Sequence, residues 1–366
     1  MQSCTATTNL RSFIATICEL HQAKMQLLRF IVAVIAGFQY ITGALGAWRY
    51  VIDKTSCGKC SPWNNDVLPT DQATVGLGEA GTPLHDSIVG YMNTVQQWAH
   101  EICDIFAPYI NDPNQRPDDR VMRLTSTIFG NNDMATIVDL YNRFNRIRTY
   151  QYYDIDNRGI DWAQQRDNQD LEIFGNADYI VSNPNAMDPS VQYWDMTRSC
   201  PIANDDLLLY LHEDDVLESA VTCPATPDGD QQVFPAHWSE TITFHPAYLQ
   251  DGVDNPLSFA DRVTAAKSSA LLHLARSREP DPVRRARVTQ FDLLLPPEQV
   301  LMHEMTHLVN CGSSIDQGED CYGWVGIRAL QSIHNADNLA AFAMILQLNR
   351  HYNTQVSDSG RLRSIS

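Results

Sequence analysis

Two histidines four residues apart, with a glutamate beside the first, are the residues of this chain best suited to chemistry. They lie in the segment His303-Glu304-Met305-Thr306-His307. In an α-helix, positions four apart are neighbours on one face, so both imidazoles project toward one point. Two neutral imidazoles hold a zinc ion there, and an adjacent carboxylate takes a proton from a water bound to it. We therefore predict His303 and His307 as ligands of one catalytic Zn²⁺ and Glu304 as the general base.

The residues around this motif predict the helix that must position it. Pro296 and Pro297 suit the start of a helix, and Gly312 suits its end. The flanking positions are apolar, as in a buried helix; they are Val300, Leu301, Met302, Met305, Leu308 and Val309. An ordinary core helix is the alternative interpretation of this segment.

A catalytic zinc needs a third protein ligand and one position left for water. Asn310 and Ser313 stand where a longer version of the motif has a glycine and a third histidine, which excludes that ligand set. Glu319 is the last glutamate of the chain and lies in a short loop, which argues against a ligand glutamate on a later helix. The following loop leaves Asp316 as the preferred ligand and Asp320 as the alternative.

The segment behind the motif resembles the aspzincins, the deuterolysin and peptidyl-Lys metalloendopeptidase family. In that family the zinc helix is followed by a Gly-Thr-x-Asp-x-x-Tyr-Gly segment that supplies an aspartate ligand. Tyr322 and Gly323 match the end of that segment, and Asn335-Ala336-Asp337 looks like the opening of the family's next helix. The resemblance covers roughly residues 240 to 345 and is that of a diverged member.

The resemblance implies a zincin-like metallopeptidase, in which Tyr322 donates a hydrogen bond to the oxyanion of the tetrahedral intermediate. A packed aromatic side chain is the alternative role for Tyr322. The family's strict spacing places Glu319 at the ligand position. Asp316 therefore matches only with three inserted residues, and Asp320 only with a shift of one.

An alternating segment upstream predicts where a substrate would lie. Ile242, Thr243 and Phe244 alternate as an exposed edge strand would, and such a strand can pair with an extended peptide beside the zinc. An internal strand of the sheet is the alternative.

The amino terminus predicts secretion. Residues 30–38 are apolar, follow Arg29 and precede the small residues 43–47, as in a secretory signal, so we expect residues 1–47 to be a leader, with Met25 as a possible true start. A membrane anchor is the alternative, but the run is shorter than the ~20 residues that a span requires. The net charge of −18 disfavours nucleic acid as a partner. We expect the protein to be a monomer, and its partner to be a peptide or protein substrate.

Because secretion leads to an oxidising compartment, we expect most of the cysteines to form disulfides. One is left over, since the number of cysteines beyond the leader is odd. A bridge between Cys311 and Cys321 would close the loop that carries Asp316 and Asp320. The cysteines concerned are Cys57, Cys60, Cys103, Cys200, Cys223, Cys311 and Cys321.

Hydrophobic periodicity predicts a predominantly helical α+β protein. Residues 48–190 form an amino-terminal helical lobe, residues 191–352 a zinc metallopeptidase lobe with a small antiparallel sheet, and residues 353–366 a tail. Residues 258–276 read as one helix. The helical stripes are Ile88, Met92, Val95, Ala99, Ile102 and Phe106, and then Ile137, Leu140, Tyr141, Phe144 and Ile147.

Two classes of function fit these patterns. The first is a secreted zinc-dependent endopeptidase, and the alternative is a non-catalytic secreted protein that captures zinc or adheres to surfaces. Glu304 favours the endopeptidase, because a protein that only holds the ion needs no general base.

Overall fold

The computed structural model of the protein describes residues 48–52, 83–153, 170–175, 180–182, 193–195, 200–202, 220–223, 239–244, 248–249, 252, 256–318 and 321–365. Residues 48–366 form one compact unit. The predicted leader, with Met25, lies outside the described residues, as does Asp320. The side chains of four cysteines also lie outside them: Cys57, Cys60, Cys200 and Cys223.

The first three helices follow the predicted hydrophobic stripes. They are α1 (Pro83–Asn111), α2 (Asp119–Phe129) and α3 (Met134–Ile147). All six stripe residues of α1 are fully buried, and in α3 only Tyr141 of the stripe is partly exposed. Asp118 and Asp133 precede α2 and α3, and their carboxylates accept backbone N–H groups of the first turn. These caps satisfy donors that a helix start otherwise leaves unpaired.

The remaining helices differ from the prediction at one break. They are α4 (Phe259–Ala266), α5 (Ser269–Arg278), α6 (Pro282–Arg287), α7 (Pro297–His307), α8 (Gly323–Leu330) and α9 (Ala336–His351). The single helix expected over residues 258–276 is divided between α4 and α5. The Ser268 side chain accepts the backbone N–H of Leu271 and begins a new helix there. Serine competes for backbone groups in this way, which makes it a helix cap.

Helix α7 carries His303, Glu304 and His307. It begins at Pro297 behind Pro296, as predicted. It ends at His307, earlier than expected, and a 3₁₀ turn (Val309–Cys311) follows it. Gly312 then has a φ of 109°, in the region that favours glycine.

The strands form a mixed sheet and two smaller antiparallel sheets. In the larger sheet the order is β2-β1-β3-β8-β7, with β7 antiparallel to β8 and the other neighbours parallel. Strands β4, β5 and β6 form an antiparallel sheet, and β9 pairs with β10. The strands are β1 (Arg49–Ile52), β2 (Gln151–Tyr152), β3 (Leu171–Phe174), β4 (Ile180–Ser182), β5 (Tyr193–Asp195), β6 (Cys200–Ile202), β7 (Ala220–Cys223), β8 (Glu240–Phe244), β9 (Thr354–Val356) and β10 (Leu362–Ser364).

The expected exposed edge strand is internal. Strand β8, which contains Ile242 to Phe244, lies between β3 and β7, and all five of its residues are buried. The edge prediction is therefore wrong, and the internal alternative is correct. The alternating threonines do not distinguish the two cases, because a buried strand with both faces covered also accommodates β-branched threonine. Among the described strands, β7 takes the outermost place on this side of the sheet.

One hydrophobic core joins the two predicted lobes. Helix α9 runs through it, and Phe342 lies at its centre, with ring centroids 6.2 Å from Phe106, 5.3 Å from Phe129 and 6.3 Å from Phe144. Helix α7 packs against both α9 and α1. The protein is a mixed α and β structure in which helices predominate. None of the helices in the described residues has the length and apolarity that a membrane span needs.

Replacing Phe342 should test this shared core. We expect Phe342→Ala to lower the free energy of unfolding by about 3–5 kcal/mol, because the truncation leaves a cavity among three aromatic rings. The measurement is denaturant unfolding of the metal-free protein. Leu257→Ala, at a side chain 53% exposed, is the control and should change stability by less than about 0.5 kcal/mol. Equal effects of the two changes would contradict this description of the core.

Candidate metal centre

Three side chains of the predicted site converge on one point. The Nε2 atoms of His303 and His307 are 3.1 Å apart. Each lies 3.4 Å from a carboxylate oxygen of Asp316, which uses Oδ1 toward His303 and Oδ2 toward His307. A tetrahedral zinc with bonds of about 2.0–2.1 Å separates its ligand atoms by about 3.3 Å. The two imidazole nitrogens have nearly this separation, and one ligand atom from each of the three side chains lies within 4.8 Å of the other two. These three side chains could therefore hold one metal ion.

Hydrogen bonds behind the two imidazoles set their orientation. The Nδ1–H of His303 donates to Asp337 Oδ1 at 2.9 Å, and the Nδ1–H of His307 donates to the carbonyl of Ser314 at 2.8 Å. With both Nδ1 atoms engaged, the Nε2 atoms are left for the shared point. Partners of this kind fix the tautomer and the ring orientation of metal-binding histidines.

Charged side chains hold the turn that carries Asp316 back to the helix. Arg143 donates to the carbonyl of Gly312 and Arg146 to that of Asn310, both at 2.9 Å. The fully buried carboxylate of Glu240 accepts the backbone N–H of Val309 at 2.6 Å and the side-chain amide of Asn310 at 3.1 Å. Two carbonyls, one backbone N–H and one side-chain amide of the turn thus bind arginine or glutamate side chains, and hydrogen bonds to charged groups are the strong ones.

Glu304 lies beside the cluster and is only 5% exposed. Its Oε2 accepts a hydrogen bond from the Thr222 hydroxyl at 2.7 Å. Burial raises the pKa of Glu304 above its ordinary value, although the two histidines and Thr222 act in the opposite direction. A carboxyl group with a raised pKa both takes and returns a proton more readily near neutral pH.

Tyr322 lies at the mouth of the cluster. Its ring stacks on the ring of His303 with centroids 6.4 Å apart, and the side chain is 45% exposed. It directly precedes α8, whose first turn is held by Asp292. The Asp292 carboxylate accepts the backbone N–H groups of Trp324 at 2.7 Å and Thr289 at 2.6 Å. Tyr322 is therefore not packed in the core, and its place agrees with a role toward a bound molecule.

Hydrogen bonds within the cluster shift the pKa values of its three side chains. Burial opposes the charged form of His303, but hydrogen bonds to Asp316 and Asp337 outweigh it and hold the pKa of His303 well above its ordinary value. The pKa of His307 is also raised, since Asp316 outweighs burial there. Burial acts upward on Asp316, but both histidines hold its pKa far below the ordinary value. The protonation of each of these three side chains therefore depends on the other two.

The predicted bridge across the ligand loop is wrong. Cys311 and Cys321 are free buried thiols, as is Cys103. The turn is held by Arg143, Arg146 and Glu240 in its place. In the described part of the chain, the group of His303, His307 and Asp316 is the one set of side chains placed to hold a metal.

Three contributors to the site were not predicted from the sequence. Asp337 was noted only as part of a similar segment, although an aspartate in the first turn of a helix was a usable signal. Thr222 and Glu240 lie far from the motif in the sequence, and nothing local marks them. Both reach α7 or its end through the packing of the sheet against that helix.

Comparisons with known proteins identify no relative. No family model matches the chain, and searches of curated proteins and of solved structures also find no match.

Substitution of each aspartate should show whether Asp316 or Asp320 is the third zinc ligand. We expect Asp316→Ala to weaken zinc binding by more than about 100-fold, because two histidines alone leave the site with one protein ligand too few. Asp320→Ala is the matched control and should retain wild-type affinity. Affinity is measured by competition with a chromophoric chelator. The opposite order of effects would identify Asp320 as the ligand.

The pH dependence of zinc binding should follow the raised pKa values of the histidines. Zinc must displace protons from His303 and His307, so affinity should rise with pH through and above the ordinary imidazole value of about 6.5. The stability of the metal-free protein should change in the opposite sense. The histidinium–carboxylate pairs contribute fully below about 6.5, and their contribution is lost as pH rises through the folded-state values.

Chelator competition and unfolding of the metal-free protein, both from about pH 5.5 to about pH 9, measure these two trends. Zinc affinity that does not change over this range would count against the two imidazoles as ligands.

Proposed function

We propose that the protein is a zinc-dependent endopeptidase and a diverged relative of the aspzincins. The observation that carries the proposal is the convergence of His303, His307 and Asp316, whose ligand atoms lie within 4.8 Å of one another beside the buried carboxylate of Glu304. Three protein ligands with one vacant position are the arrangement of catalytic zinc sites, whereas structural sites use four. The zincin-like character of this part of the fold belongs to the same proposal.

The chemistry follows from the side chains around the cluster. Bound zinc would make its water molecule more acidic and would polarise the peptide carbonyl that this water attacks. Glu304 takes the proton of the attacking water and passes it to the leaving amine. The Tyr322 hydroxyl donates a hydrogen bond to the oxyanion. Its exposed position beside His303 supports this role.

Strand β7 offers a place for the substrate backbone. It is antiparallel to β8 and outermost among the described strands of the larger sheet, and it packs against α7. An extended peptide can add to such an edge through main-chain hydrogen bonds, which bind peptides largely without regard to side-chain identity. β7 therefore takes over the role that the sequence suggested for Ile242 to Phe244. Binding along an edge suits cleavage within a chain.

The alternative function is zinc capture without chemistry. Glu304 discriminates between the two, because the ion needs only the three ligands, and Glu304 is not one of them. Burial of the Glu304 carboxylate costs stability, and a catalytic role gives a reason for its presence at this position. Secretion through the predicted leader remains part of the proposal, and the acidic composition suits a soluble protein outside the cell.

Replacing the general base should separate binding from catalysis. We expect Glu304→Gln to retain one zinc per chain but to lower kcat/KM for an unfolded protein substrate by about 10²–10⁴-fold, because glutamine cannot take the proton. Zinc content is measured by elemental analysis and cleavage by mass spectrometry. Glu298→Gln, on the same helix, is the control and should retain most of the activity. If the wild-type protein binds zinc tightly and cleaves none of a broad set of unfolded proteins, the capture function is correct.

A further inference from the structure

We infer that Thr222 is a positioning residue for the general base: its hydroxyl holds the Glu304 carboxylate in the orientation that proton transfer requires. This inference rests on the proposed function. Thr222 Oγ1 lies 2.7 Å from Glu304 Oε2 and 2.9 Å from the backbone carbonyl oxygen of Glu304. The side chain and the main chain of one residue thus share a single donor on another element.

The carbonyl contact has a local cause. The last four carbonyls of a helix lack a partner within the helix, and α7 ends at His307, so Glu304 is one of these positions. The Thr222 hydroxyl meets that carbonyl and the carboxylate at the same time. A donor that bridges backbone and side chain restricts the side-chain torsions of Glu304. Glutamate otherwise has considerable rotamer freedom, and its orientation toward a reacting water would vary.

The Thr222 hydroxyl also gives the two carboxylate oxygens of Glu304 different roles. Oε2 is engaged with Thr222, so the second oxygen is the one that meets the water proton. General-base catalysis requires hydrogen-bond reach between the base and that proton. Thr222 therefore determines which oxygen acts and from which side of the helix it approaches the cluster.

The location of Thr222 connects the base to the proposed substrate strand. Thr222 lies in β7 opposite Ile242 of β8, and its side chain points toward α7. The strand proposed to pair with the peptide backbone is therefore the strand that holds the base. One rigid element sets the positions of both reactants, which reduces the freedom lost on the way to the reactive geometry.

Activity measurements on three variants test the inference. We expect Thr222→Val, which keeps the shape but lacks the donor, to lower kcat about 10- to 100-fold, since a misplaced catalytic group costs up to about 10² in rate. KM should change by less than about twofold, because the β7 backbone is retained. Thr222→Ser should restore most of kcat. Thr264→Val, at an exposed threonine of α4 that bonds only its own helix, is the matched control and should be neutral. All variants should bind one zinc.

A second measurement requires no activity. In the metal-free protein, the destabilisation by Thr222→Val should be smaller when Glu304 is already alanine, because the hydrogen bond to the carboxylate is then absent. In the alanine background the hydroxyl still donates to the carbonyl, so the difference between the two backgrounds measures what the carboxylate contact adds. Equal shifts of the unfolding midpoint in the two backgrounds would overturn the inference. So would an unchanged kcat in Thr222→Val, or a serine variant no better than valine, while the wild type cleaves. A wild type that binds zinc and cleaves nothing overturns the proposed function and this catalytic role together.

Discussion

The reversal of the chain after His307 is the constraint on which the cluster depends. Asp316 is only nine residues beyond the last histidine, and it must return to meet two imidazoles on the preceding helix. Helix α7 stops at once, and Gly312 turns the chain with a positive φ that other residues rarely adopt. A side chain at that position would also collide with the guanidinium of Arg143, because an added Cβ would lie 2.7 Å from its Nη1. Gly312 therefore leaves room for the guanidinium that donates to its own carbonyl.

The anchors of this turn come from distant parts of the chain. Arg143 and Arg146 belong to α3, and Glu240 begins β8. Burying a charge is costly unless it finds partners. Groups of the turn are among the partners of these three side chains, and Arg143 also pairs with Asp139 on its own helix. Helix α3, strand β8 and the turn after α7 thus meet in a common core, and together they hold the cluster. This is why the predicted lobes share their interior and why no covalent bridge is needed across residues 311–321.

Local patterns predicted the parts of this protein that depend on local physics. The motif specified which residues share one helix face, Pro296 and Pro297 marked where α7 begins, and the apolar period identified the buried stripe of α1. Elimination among nearby carboxylates favoured Asp316, which the fold brings to both histidines. The break at Ser268 was missed because serine caps and serine within helices look alike in sequence. The place of β8 was missed because alternating threonines suit an edge and a covered strand equally. Thr222 and Glu240 act through strand order, which no nearby residue encodes.

Asp337 connects the cluster to the hydrophobic core of the protein. It holds His303 from the first turn of α9, the helix whose Phe342 is surrounded by aromatic rings of α1, α2 and α3. Under the proposed zinc binding, occupancy of the cluster would be thermodynamically linked to folding of the whole core, since a cation that binds only the folded state stabilises it in proportion to the logarithm of its concentration. Removal of the ion would then make the entire molecule easier to unfold, and not the cluster alone.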